Sequence, residues 1–187
     1  LLLLIGLAPW VITLLYSSAF EQAVPLLQWQ VVGNVFKLAS WAMSFSIVAA
    51  ARGKTFFLME LSFNIVFLSM VFVFLPCVGL EVTAYAFVLG YLVYLTIVYV
   101  LAHSIHGFRW QALSLVLLGL HTSLGVALLV LALMAPFAAA IASPLLAAAT
   151  GLFGLRAVLS KVGKHGRLPT RLYGIFARLG WPIQSAV

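Results

Sequence analysis

Residues 25–51 read PLLQWQVVGNVFKLASWAMSFSIVAAA, an apolar run of helix length with a lysine, Lys37, near its middle. Lys37 lies twelve residues from Pro25, about 18 Å along a helix, too deep for its ammonium to snorkel easily to water. Leaving that charge exposed to hydrocarbon would cost roughly 3 kcal/mol, so it requires a partner or water. Gln30, Asn34, Lys37, Trp41 and Ser44 recur at spacings of four, three, four and three, and therefore form one stripe on a helix otherwise made of residues such as Val31, Val35, Phe36, Leu38 and Ile47. A polar stripe on a membrane-crossing helix faces protein or a water-filled cavity rather than lipid.

The rest of the chain has the same character. Of 187 residues, 65% are hydrophobic and only 7% charged, with a mean hydropathy of +1.22, too few charges to cover a water-soluble domain. Six apolar spans follow one another, at about 1–16, 25–51, 55–75, 82–102, 111–134 and 137–155. Their length suits helices crossing roughly 30 Å of hydrocarbon. The fold class expected is an all-α polytopic membrane protein. The first span lacks the basic flank of a signal peptide. It also lacks an initiating Met, which reads as a piece of a longer protein. The single cysteine, Cys77, leaves no intrachain disulfide and no thiolate metal cluster.

Charge orients the spans. Arg52 and Lys54 mark the second break, and His103, His106 and Arg109 the fourth. After span six come Arg156, Lys161, Lys164, Arg167, Arg171 and Arg178, with no acid among them. The first and third breaks carry only Glu21 and Glu81, and the fifth carries no charge. Basic breaks alternate with non-basic ones, so the positive-inside rule puts the C-terminus in the cytoplasm. The net charge of +7 then implies anchoring to anionic inner-leaflet lipid and no nucleic-acid partner. In the tail, Leu168, Leu172, Ile175, Phe176 and Leu179 share a helical face, as in a short helix lying on the inner leaflet.

No acid lies at the level of Lys37. Glu60 is only about 7 Å inside the inner end of span three, roughly 14 Å from the depth of Lys37, so a direct pair is not expected. Glu60 and Asn64, four residues apart, are candidates to face the inner part of a cavity; an interfacial pair of Glu60 with Arg52, Lys54 or Arg109 is the alternative. His121 falls near mid-membrane, where it could relay protons or simply bond a neighbouring carbonyl. Tyr91, Tyr94 and Tyr99 could stack on sugars or pack between helices. No catalytic triad, metal-ligand spacing or phosphate-cradling glycine loop is present, so no catalytic residue, metal or cofactor is expected. The breaks are also too short to build the site of a membrane glycosyl- or acyltransferase.

Residues 8–41 (APWVITLLYSSAFEQAVPLLQWQVVGNVFKLASW), 50–57 (AARGKTFF), 59–64 (MELSFN) and 78–94 (VGLEVTAYAFVLGYLVY) resemble, in this order, the C-terminal part of O-antigen and related polysaccharide flippases of the Wzx type. These belong to the multidrug/oligosaccharidyl-lipid/polysaccharide exporter superfamily. The resemblance covers about 8–102 and fades beyond it. It rests on the Phe20-x-x-Ala23-x-Pro25 link, the Gln30-x-x-Gly33-x-x-x-Lys37-x-x-Ser40-Trp41 helix and the Gly79-Leu80 opening before Ala84-Tyr85. Asn34 departs from the pattern, which often has an acid there.

The resemblance implies two helical lobes rocking about a cavity, with this chain holding most of the C-terminal lobe and the N-terminal lobe missing. Its layout would be 1–102 as flippase-like helices, 103–159 as two further helices and 160–187 as a basic tail. It further implies an undecaprenyl-diphosphate-linked oligosaccharide as substrate, a bacterial inner-membrane location, and polysaccharide polymerase and chain-length proteins as partners. Lys37, Asn34, Gln30, Trp41, Ser44, Glu60 and Asn64 would line the cavity. A multidrug or other lipid exporter of the same superfamily, or a non-transporting subunit of an assembly complex, are the alternatives.

Overall fold

Backbone N–H and C=O groups that leave water must bond within their own segment, and a chain this apolar does so by forming helices. A computed structural model describes residues 1–50, 52–162, 167–178 and 180–183. Among the described residues the helices are α1 (Leu2–Leu15), α2 (Ala23–Ala49), α3 (Gly53–Val78), α4 (Val82–His106), α5 (Ala112–Met134), α6 (Pro136–Val162) and α7 (Arg167–Arg178), and there is no strand. Short 3₁₀ turns at Ser18–Phe20 and Gly79–Glu81 join α1 to α2 and α3 to α4. Gly79 has φ 74° and ψ −157°, a conformation open essentially to glycine alone, and it is here that the chain leaves α3 for α4.

Among the described residues four stretches are long and apolar enough to cross a membrane: Ala23–Ala49, Gly53–His106, Ala112–Met134 and Pro136–Lys161. About six were expected. The 14 residues of α1 rise only about 21 Å, short of the roughly 30 Å hydrocarbon core. The 54-residue stretch Gly53–His106 contains both α3 and α4. Large apolar side chains remain outward, Phe72 at 80% exposure and Met134 at 81%, as on a surface that meets lipid rather than water.

The chain forms two compact units, Leu1–Ser143 and Pro144–Val187, dividing inside α6. The boundaries read from the sequence fall after residues 102 and 159 instead. In the first unit α4 packs most extensively on α2 and then on α3, while α2 also meets α1 and α5. Met43 and Ile47 from α2, Met59 from α3, and Tyr91, Tyr94, Val98 and Ala102 from α4 form its core. Because α2 and α3 touch each other only lightly, the space between them stays open above α4.

In the second unit Leu159 of α6 is buried against Tyr173 and Phe176 of α7. The Tyr173 hydroxyl donates to the Leu159 carbonyl at 2.8 Å. The apolar face expected to lie on the inner leaflet is thus divided. Phe176 turns inward, while Ile175 stays 51% exposed. Leu179 and the side chain of Leu168 lie outside the described residues.

Candidate functional site

Three helices carry side chains at the same spacing, and the site is where those stripes converge. Lys37, Trp41 and Ser44 on α2, Phe87, Tyr91 and Tyr94 on α4, and Phe56, Glu60 and Phe63 on α3 are each separated by four and then three residues. That interval keeps a side chain on one helical face for two turns. Trp41, Ser44 and Phe45 from α2, Phe56 and Glu60 from α3, and Tyr91 from α4 line an open cleft of about 430 Å³.

Lys37, expected to line a cavity, is half-buried and is not among the lining residues, but it lies against two of them, Trp41 and Tyr91. Its Nζ lies 4.9 Å from the ring centre of Trp41, 5.2 Å from Tyr91 and 5.9 Å from Phe87. Each such contact contributes about 0.5–1 kcal/mol when exposed and about 2 kcal/mol when desolvated. Three rings together therefore match the roughly 3 kcal/mol insertion cost of a lysine. The partner of Lys37 within its own chain is an aromatic box, and no carboxylate pairs with it among the described residues.

The box depends on close helix approach. A Cβ on Gly33, one turn before Lys37, would stand 2.7 Å from Cδ1 of Phe87 and 3.3 Å from the Val88 backbone. Any larger residue there would force Phe87 or α4 to shift. Phe63 of α3 then packs on Tyr91, their ring centres 4.3 Å apart, and steadies the box from behind.

Glu60 stands on the opposite wall and accepts a hydrogen bond from the Tyr94 hydroxyl at 2.5 Å. The Ser44 hydroxyl donates to the Trp41 carbonyl of its own helix at 3.1 Å, so the bond across this wall joins α3 to α4. Neither Arg52, Lys54 nor Arg109 forms an ion pair with Glu60 among the described residues. One ammonium and one carboxylate thus flank the cleft, separated from each other and each held by aromatic side chains.

The other expected residues are distributed differently. Asn64 is exposed and turns back to donate to the Glu60 carbonyl at 2.8 Å, so it does not face the cleft. Gln30 lines a separate cleft of about 290 Å³ with Ile12 and Tyr16 of α1. Asn34 is half-buried and lines neither. His121 faces a third cleft with Leu38, Trp110 and Ser114. Its Nδ1 lies 2.8 Å from the Leu117 carbonyl, which can only accept, so Nδ1 is the donor.

Phe87, Phe45, Phe56 and Gly33 complete the site without having been singled out as lining residues. The repeated four-three spacing of aromatics on α4 was the available signal, since it matches the stripe on α2. Among the described residues no group of three or more His, Cys, Asp or Glu could hold a metal ion. Comparison of the chain with protein-family models, with curated proteins and with solved structures finds no match.

Proposed function

We propose that the chain is the substrate-handling part of a membrane exporter that moves a lipid-linked, diphosphate-bearing oligosaccharide across the cytoplasmic membrane. The observation that carries this reading is Lys37, a cation paired with no carboxylate among the described residues and held in an aromatic box, two of whose rings line an open cleft. Aromatic faces such as Trp41 and Tyr91 hold an ammonium in place without neutralising it. The positive charge therefore remains available to a phosphate oxygen, while the ring edges and faces suit the apolar side of a sugar.

In this reading about six helices cross the bilayer, α3 and α4 separately, with the basic tail in the cytoplasm. The chain acts with a second helical lobe and performs no catalysis. Resemblance of residues 8–102 to polysaccharide flippases adds to the case and suggests the substrate class.

The test is export of surface polysaccharide by cells that depend on this protein. Lys37→Ala is expected to abolish export while membrane insertion survives, and Lys37→Arg to retain more. Full export by Lys37→Ala would remove the anion role.

A second reading, an exporter of lipophilic cations, draws on the single carboxylate, Glu60, among apolar walls. It predicts the reverse dependence: Glu60→Gln abolishes transport and Lys37→Ala is tolerated.

A further inference from the structure

The unit Pro144–Val187 contains six Lys or Arg residues and no acid, and residues 82–187 contain no Asp or Glu at all. Its counter-charge therefore has to come from outside the chain segment. One of these cations is built into a structure. Gly180, with φ 73°, ends α7 in the left-handed region, and the Trp181 N–H returns to the Phe176 carbonyl at 3.0 Å. This is the six-to-one bond of a glycine-terminated helix, and its accompanying apolar contact is present as well, with the Trp181 and Phe176 rings 6.1 Å apart.

The cap turns Trp181 back onto α6. There its ring meets Phe153 edge-on at 4.7 Å, and the Arg156 guanidinium lies 4.5 Å above its centre. Arg156 Nη2 donates to the Pro182 carbonyl at 3.2 Å. The guanidinium is thus fixed by a stacking face and one hydrogen bond. Its fork carries five N–H donors in all, and most remain available. They border an open cleft of about 280 Å³ lined by Phe153, Arg156, Ala157, Ser160 and Ile183.

Position supplies the chemistry of the occupant. No Asp, Glu, Lys or Arg occurs between Arg109 and Arg156, so Arg156 is the first charge after the apolar run 137–155. A charge at the end of a membrane-length apolar run stands at headgroup level, beside a tryptophan of the kind enriched there. The anion supplied at that level is a phosphate diester. A guanidinium fork matches phosphate oxygens in pairs, where an ammonium offers only a point charge.

We infer that the Arg156–Trp181 clasp binds the phosphate of one anionic phospholipid, with an acyl chain along Phe153 and Ile183. This site is independent of the transport reading. It also differs from diffuse attraction of the tail to an anionic surface, in which every cation counts about equally.

The test uses the chain in nanodiscs of phosphatidylcholine, with brominated phosphatidylglycerol or brominated phosphatidylcholine added at low mole fraction. The fluorescence quenched in the parent protein but not in Trp181→Phe reports on lipid at the clasp. Brominated phosphatidylglycerol is expected to quench this component at several-fold lower mole fraction than brominated phosphatidylcholine. Arg156→Gln should abolish the preference, Arg156→Lys should weaken it, and Arg178→Gln, at an exposed cation of the same unit, should leave most of it in place.

Equal quenching by both lipids in the parent protein would overturn the proposal, whatever the variants do. So would equal losses from Arg156→Gln and Arg178→Gln, which would mean diffuse attraction. Loss of the preference on adding millimolar inorganic phosphate would overturn it in favour of a soluble anion.

Discussion

Gln28 Nε2 donates to the backbone carbonyl of Ile5 at 2.9 Å, and that carbonyl is the one Pro9 leaves without a helical donor. In α1 the N–H four residues after Ile5 would belong to Pro9, which has none. Gln28, only 2% exposed on the neighbouring α2, supplies the missing proton across the helix interface. Gln28→Leu is expected to destabilise the protein by about 1–2 kcal/mol in detergent-micelle unfolding. Pro9→Ala restores an N–H to α1, so the cost of Gln28→Leu should shrink in that background. Identical costs in both backgrounds would show that the proline and the glutamine are unrelated.

The lysine box makes a similar coupling prediction. Lys37→Met removes the charge and keeps the stem, so its effect on stability should be small, whereas export should be lost. Trp41→Leu in the parent protein leaves the ammonium with two rings instead of three. The two substitutions should therefore couple by about 1 kcal/mol in a double-mutant cycle. Strict additivity would show that the rings do not hold the charge.

Gly33 tests whether helix approach builds the box. Gly33→Ala places a methyl 2.7 Å from Phe87, which has to withdraw from Lys37 or push α4 away. A loss of about 1–3 kcal/mol is expected, with reduced export. Adding Phe87→Leu should recover stability by relieving the overlap, without recovering the third ring and hence without full export. If Gly33→Ala alone left stability unchanged, close approach of α2 and α4 would not be what the glycine provides.

Helix positions were legible because backbone satisfaction in lipid and apolar run length leave few alternatives. Each expected span overlaps an observed helix to within a few residues, except that α6 runs on to Val162. The place of Lys37 near the middle of a long helix, with no carboxylate paired to it among the described residues, was legible for the same reason. What filled that vacancy was not. A search for a partner of opposite charge overlooks ring faces, although Tyr91 is nearly enclosed and contacts both Lys37 and the cleft. Asn64 and His121 were legible only in part, the carbonyl bond of His121 being one of the two states its sequence allowed. Helical spacing assigns a face, but a short polar side chain in an apolar setting can satisfy itself on the carbonyl one turn back, as both do here. Gln28 was passed over because its importance comes from a proline on a different helix.

Orientation can be tested with the chain's own cysteine. Cys77 is the single cysteine, is exposed, and lies in the last turn of α3 beside the acidic Gly79–Glu81 turn. With Arg52 and Lys54 at the other end of α3, the positive-inside rule directs this turn away from the cytoplasm. A membrane-impermeant maleimide added to intact spheroplasts should label Cys77, and blocking from outside should prevent labelling after lysis. Labelling only in inverted vesicles would reverse the orientation and place the basic tail, with Arg156 and Trp181, at the outer leaflet.

Tyr94 and Glu60 provide the last test, because their bond joins α4 to α3 across the wall of the cleft. Tyr94 is almost fully buried, and Tyr94→Phe removes only the hydroxyl, leaving the Glu60 carboxylate without its phenol donor. Loss of a hydrogen bond to a charged group costs about 1.5–3 kcal/mol. Glu60→Gln keeps an acceptor oxygen for Tyr94 and should cost less. In the double variant the effect of Tyr94→Phe should fall, because a neutral amide left unpartnered is easier to tolerate than a carboxylate. On the oligosaccharide reading Glu60→Gln also preserves export, which separates it from the cation-exporter reading. An equal cost for Tyr94→Phe with and without Glu60→Gln would mean that the phenol stabilises α4 through packing alone.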